Sequence, residues 1–83
     1  MKVLYFARFR QVIGRGSDEI SLPADVSTVN ALLNYLVESD AGIAAAFADL
    51  RTVRVAVDQS HCALDASILG AKEVAFFPPV TGG

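Results

Sequence analysis

His61 and Cys62, the single histidine and single cysteine of this 83-residue chain, are the residues whose types first suggest catalysis. A thiolate–imidazolium pair needs both side chains on one face. Neighbours in an extended segment point to opposite faces, so these two cannot pair with each other. As metal ligands they fall short of the three or four that a zinc site uses, and no metal site is expected. A turn histidine beside a half-buried cysteine is the plainer reading. Asp58 and Asp65 fall near predicted turns, where an aspartate commonly accepts from its own backbone. Gly14-x-Gly16 carries Glu19 where a dinucleotide fingerprint requires glycine, and no helix is expected to follow it. It reads as a hairpin loop. On this reading the chain has no catalytic apparatus of its own.

The carboxyl terminus offers a different chemistry. At ~7% glycine in average proteins, a chance Gly-Gly ending occurs about once in 200 chains, and by itself it fits a frayed end equally well. Its neighbours add meaning. Pro78 and Pro79 stiffen the exit from the preceding segment. Val80 and Thr81 favour extended backbone, and Gly82 and Gly83 carry no Cβ. At ~3.3 Å per residue, residues 78–83 reach roughly 20 Å. Such a tail suits threading a narrow channel and presenting the α-carboxylate of Gly83 in another protein's active site. A bare carboxylate can be activated: attack on ATP gives an acyl-adenylate, which a sulfur or amine nucleophile displaces. Everything catalytic then comes from a partner.

The elements that must carry this tail are legible as changes of period. Val3–Ala7 is a compact β-type run, and Val53–Val57 alternates with period two. Glu73–Phe77 is a further strand, stopped by prolines that cannot donate to a ladder. Shorter strands are predicted over Glu19–Leu22 and, after an Asp58-Gln59-Ser60 turn, around Cys62–Leu64. Val29, Leu32, Leu33, Leu36 and Val37 form one helical stripe, with Ser27 or Thr28 as N-cap. A second short helix is predicted over Ile43–Ala48. The expected class is α+β: a mixed four- to five-stranded sheet on one main helix, with a domain at 1–77 and an extended, flexible tail at 78–83.

One long helix cannot cover both faces of such a sheet. Alternation sends Val3, Tyr5, Ala7, Val53, Val55, Val57, Val74 and Phe76 towards the helix and Leu4, Phe6, Ala56, Ala75 and Phe77 away from it. That second face is a candidate binding patch. Composition agrees, because 53% of the residues are hydrophobic while a domain of this size buries only about 60% of its unfolded surface. Other classes are excluded. A net charge of −2 leaves no footprint for nucleic acid. One cysteine permits no internal disulfide, no apolar run approaches the ~18 residues of a membrane span, and MKVLYFARFR is not a signal peptide. A cytoplasmic domain is expected.

These residues together resemble the ubiquitin-like β-grasp sulfur carriers and, within them, the small subunits of molybdopterin synthases. The similarity spans the chain. It rests on Val3-Leu4-Tyr5-Phe6-Ala7-x-x-Arg10, on Val55-Ala56-Val57-Asp58-Gln59, and above all on Glu73-Val74-Ala75-Phe76-Phe77-Pro78-Pro79-Val80-Thr81-Gly82-Gly83. Asp58 stands where asparagine is usual, and Ala71-Lys72-Glu73 departs from the usual Gly-Asp-Glu, with Gly70 one place earlier. The resemblance implies a β-grasp fold and a sulfur carrier in molybdenum cofactor biosynthesis. An ATP-dependent activating enzyme would adenylate Gly83, and a sulfur donor would convert it to a thiocarboxylate. Val80, Thr81, Gly82 and Gly83 would then insert into the large synthase subunit. There the sulfur would pass to a cyclic pyranopterin precursor, building the dithiolene of molybdopterin. Two sulfurs per product imply a heterotetramer of two small and two large subunits. Phe6 and Phe77 match positions where that family packs against its large subunit, and with Leu4 of the uncovered face and with Pro78 and Pro79 they are the expected partner-binding residues. The chain itself is expected to bind no cofactor, ATP being used by the activating enzyme. Three rivals remain: a carrier of the same fold for thiazole synthesis, tRNA thiolation or cysteine synthesis; a conjugation tag joined to lysines through Gly83; and an interaction domain with an incidental Gly-Gly. Phe76–Thr81 favour the molybdopterin synthase reading over these.

Overall fold

Strand β1 (Lys2–Tyr5) and strand β5 (Glu73–Phe77), the first and last elements of the chain, lie side by side and parallel, with Tyr5 opposite Phe76. The computed structural model describes residues 1–79 and contains, between these strands, α1 (Ala7–Ile13), β2 (Ser17–Glu19), α2 (Val29–Ser39), α3 (Ala41–Ala46), a 3-10 turn (Leu50–Thr52), β3 (Arg54–Val57) and β4 (Ser60–Cys62). The sheet order is β2-β1-β5-β3-β4, and every pairing except β1–β5 is antiparallel. A mixed sheet of this kind requires a long crossover between its two parallel strands, which the helical layer supplies.

Helix α2 starts where the period changes. The Thr28 hydroxyl accepts from the Ala31 amide at 3.2 Å, satisfying one of the free donors at the helix start. Val29, Leu32, Leu33 and Leu36 are buried, as their spacing predicts. Asp40, in extended conformation, ends α2 and begins α3: its Oδ1 accepts from the amides of Gly42 (2.7 Å) and Ile43 (3.2 Å). Val3, Tyr5, Val55, Val74 and Phe76 of the sheet meet these helices in one core. At its centre Phe47 packs on Phe9 (ring centroids 5.0 Å), Phe76 (5.1 Å) and Tyr5 (6.3 Å).

Tyr5 is 1% exposed, yet its hydroxyl reaches the rim and donates to Asp18 Oδ2 at 2.9 Å. Burial, followed by the bond to Asp18 and its charge, holds the phenol well above its ordinary range. Arg15 donates to both oxygens of Asp18 at 2.8 Å and to Asp40 at 2.9 Å. Those bonds keep both carboxyls below the usual carboxylate range. The bridge ties the start of β2 to the α2–α3 corner.

Several sequence expectations are corrected. The first strand stops at Tyr5 rather than Ala7, and an unexpected helix, α1, follows. Ala7 has φ +53°, so the chain turns out of the strand at a left-handed residue and cannot face the helix as a strand residue would. Phe9 and Ile13 are the buried residues of α1, one i, i+4 pair, which is too short a stripe to stand out in sequence. Gly14 is therefore a helix C-cap and not part of a hairpin loop: at φ +89° its amide donates to the Arg10 carbonyl at 2.9 Å. Strand β2 lies at Ser17–Glu19 instead of Glu19–Leu22, β4 at Ser60–Cys62 instead of around Cys62–Leu64, and α3 starts two residues before the predicted Ile43. Asp58 and Gln59, at φ +48° and +71°, form the tight β3–β4 turn. The Asp58 carboxylate does not cap its own turn. It accepts from the amides of Lys72 (2.9 Å) and Glu73 (3.0 Å), fixing the start of β5.

Candidate functional site

The sheet's two faces differ as alternation requires. On the helix side the strand residues are sealed: Val3, Val74 and Phe76 are 0% exposed and Val55 2%. The opposite face carries Leu4, Phe6, Ala56, Ala75, Phe77 and His61. Register assembles them. Phe77 lies opposite Arg54, Ala75 opposite Ala56 and Leu4, and Ala56 opposite His61. The parallel pairing of β1 with β5 also brings Phe6 to Phe77, and the Phe6 amide donates to the Phe76 carbonyl at 3.1 Å. Ala56 and Ala75 form the floor, each 7% exposed and outside the helix-side core. Phe6 stands above it at 46% exposure, while Leu4 and Phe77 are half-buried.

His61 is not the turn residue that its sequence context suggests. It lies on β4, with its ring 5.1 Å from that of Phe77, and belongs to this face. The signal that could have placed it is the alternation of β3 carried through a two-residue turn, which sets His61 opposite Ala56. Cys62 opposes Val55 and is half-buried against the core, so the two residues point to opposite sides as expected. Among the described residues, no three His, Cys, Asp or Glu side chains lie together as a metal site would need, and no helix is long and apolar enough to cross a membrane.

Pro78 and Pro79 are half-buried and continue directly from the middle strand of the sheet. Val80, Thr81, Gly82 and Gly83, the expected insertion and reactive residues, lie outside the described residues. The root of that tail is flanked by Phe6, just past the end of β1, and by Arg54 at the start of β3. The site therefore combines an apolar face able to bind a protein with the point at which the chain leaves β5 towards residues 80–83. Its side chains are suited to docking rather than to bond-making.

A sequence profile of the ThiS family matches residues 3–83. Over 83 residues the chain is 39% identical to the molybdopterin synthase sulfur carrier subunit of Escherichia coli K12, covering 100% of this chain and 99% of that protein. It is 36% identical, with the same coverage, to the protein of that name from Haemophilus influenzae. The counterpart from Mycosarcoma maydis is 38% identical over 87 residues, covering 100% of this chain and 92% of its own. Among solved structures, SAMP1 from Haloferax volcanii superposes with a TM-score of 0.73 at 24% identity, over 99% of this chain and 97% of that one. A Pyrococcus furiosus protein described as a candidate subunit 1 of molybdopterin converting factor superposes with a TM-score of 0.69 at 31% identity, over 95% of both chains. The fold is the ubiquitin-like β-grasp.

Proposed function

This chain belongs to the ThiS family, and we propose that it is the small, sulfur-carrying subunit of a molybdopterin synthase. The observation that carries this reading is the 39% identity to such a subunit over the entire length, tail included. The carboxylate of Gly83 attacks ATP on an activating enzyme and expels pyrophosphate. A sulfur nucleophile then displaces AMP to leave a terminal thiocarboxylate. The large subunit receives Val80–Gly83, its active site passes the sulfur to the pyranopterin precursor, and water restores the carboxylate. Two such deliveries complete one dithiolene, in keeping with a heterotetramer working in the cytoplasm. The chain contributes position and a leaving sulfur, and the partner contributes catalysis. Support for docking comes from Phe6 and Phe77, which stand beside the tail root.

Intact-mass analysis after incubation with ATP, activating enzyme and sulfide tests the reading. One terminal oxygen should be replaced by sulfur at Gly83. An unchanged mass alongside demonstrably active activating enzyme would sink it. A second reading, a conjugation tag, is favoured by the likeness to small archaeal modifier protein 1, at TM-score 0.71 and 26% identity. Isopeptide adducts on partner lysines would support that tag instead.

Docking makes a separate prediction. Phe6→Ala or Phe77→Ala should weaken binding of the large subunit about tenfold or more, because desolvated aromatic anchors dominate interfaces. Titration of each variant against the purified large subunit measures this. Undiminished affinity in both would move the docking face elsewhere.

A further inference from the structure

Four of the chain's seven Lys and Arg residues gather at the end of the sheet from which β5 exits. Arg8 and Arg10 stand on α1, directly after Phe6; Arg51 lies on the 3-10 turn and Arg54 at the start of β3, opposite Phe77. Of these four only Arg51 is neutralised, by Asp49 at 3.0 and 3.1 Å. Among the described residues Arg8, Arg10 and Arg54 form no ion pair. Their positions are nonetheless constrained. Arg54 donates to the carbonyls of Arg51 (3.0 Å) and Val53 (3.2 Å). The Arg10 guanidinium covers Gly16, where an added Cβ would approach its Cζ to 3.2 Å. Arg8 lies over the Phe9 ring at 5.2 Å and close enough to favour the charge on Asp49.

Two of the exposed large hydrophobics, Phe6 and Leu50, each 46% exposed, lie at the same end. Apolar residues ringed by arginines reproduce the anatomy of a protein interface, where Arg is enriched and a polar rim encloses an apolar centre. In a chain of net charge −2, this end carries a local positive surplus. Surplus cations repel one another unless a partner supplies the opposite charge.

We propose that Arg8, Arg10 and Arg54 form a cationic collar around the tail root that docks on an acidic rim of the large subunit and steers the tail into its active site. This rests on the sulfur-carrier reading and adds to it the charge of the partner surface. Arginines at a rim act chiefly on the rate of encounter. The collar would align the tail before the aromatic face closes.

Association kinetics of the full chain with the purified large subunit test the collar at about 0.05 M and about 0.5 M salt, where screening differs severalfold in range. The double variant R10E/R54E should associate about tenfold or more slowly at low salt, with nearly unchanged dissociation, and the deficit should fade at high salt. R10K/R54K, which keeps the charge, should associate as the unaltered chain does. Equal rates for R10E/R54E, a deficit independent of salt, or an equally slow R10K/R54K would overturn the collar. So would tight binding of inorganic pyrophosphate to the chain alone that R10E/R54E abolishes, since it would reveal a small-anion site. If the unaltered chain failed to bind the large subunit at either salt, the sulfur-carrier reading itself would fall, and the collar with it.

Discussion

Removing Gly83, or appending one residue after it, should abolish sulfur transfer while leaving the Tm of the domain unchanged. The reason is chemical. Transfer as proposed runs through one carboxylate at the end of an unbranched Gly-Gly, and no side chain among the described residues offers a substitute. Deletion moves that carboxylate back by one residue, about 3.3 Å, a displacement severe for a reaction that needs near-contact geometry. An appended residue buries the carboxyl carbon in a peptide bond, which does not attack ATP. Among the described residues the core that determines stability runs from Val3 to Phe76. Single-turnover transfer assays and thermal unfolding on the same two variants measure both halves. Retained transfer would place the reactive group elsewhere, and a large fall in Tm would make the tail part of the fold.

Phe76→Ala should be strongly destabilising. The side chain is 0% exposed, sits on the central strand and packs on Phe47 at 5.1 Å. Truncating a buried phenylalanine costs about 3–5 kcal/mol. In a domain of this size each kcal/mol lowers Tm by about 4–8 °C, so a fall of at least about 12 °C is expected. Phe77→Ala, one residue later on the other face, should shift Tm by only a few degrees and act on binding instead. Thermal unfolding of the two variants side by side reads the difference. Equal destabilisation would contradict the assignment of the two faces.

Much of this arrangement is legible in the residues themselves. The stripe Val29–Leu36, the alternation of Val53–Val57 and the stop at Pro78 depend on periodicity between near neighbours, and the structure bears out all three. Helix α1 is hidden because its inward face is a single pair, Phe9 and Ile13, interleaved with arginines. Gly14-Arg15-Gly16 misleads for a related reason: a glycine after a helix and a glycine in a hairpin are both chosen for positive φ. Asp58 misleads because the donors it accepts from, the amides of Lys72 and Glu73, are remote in the chain.

The sequence by itself determined which residues of β1, β3 and β5 face the core and which face away, since alternation is written in local spacing, whereas Ala7 and the buried pair of α1 escaped it. Only the tertiary structure decided that β1 and β5 run parallel at the middle of the sheet. That pairing brings Phe6, and with it Arg8 and Arg10 of α1, beside Phe77, while the β3–β5 and β3–β4 pairings set Arg54 opposite Phe77 and His61 on the same face. Such contacts form between residues far apart in the chain, and no periodicity within either strand encodes which remote strand will become its neighbour.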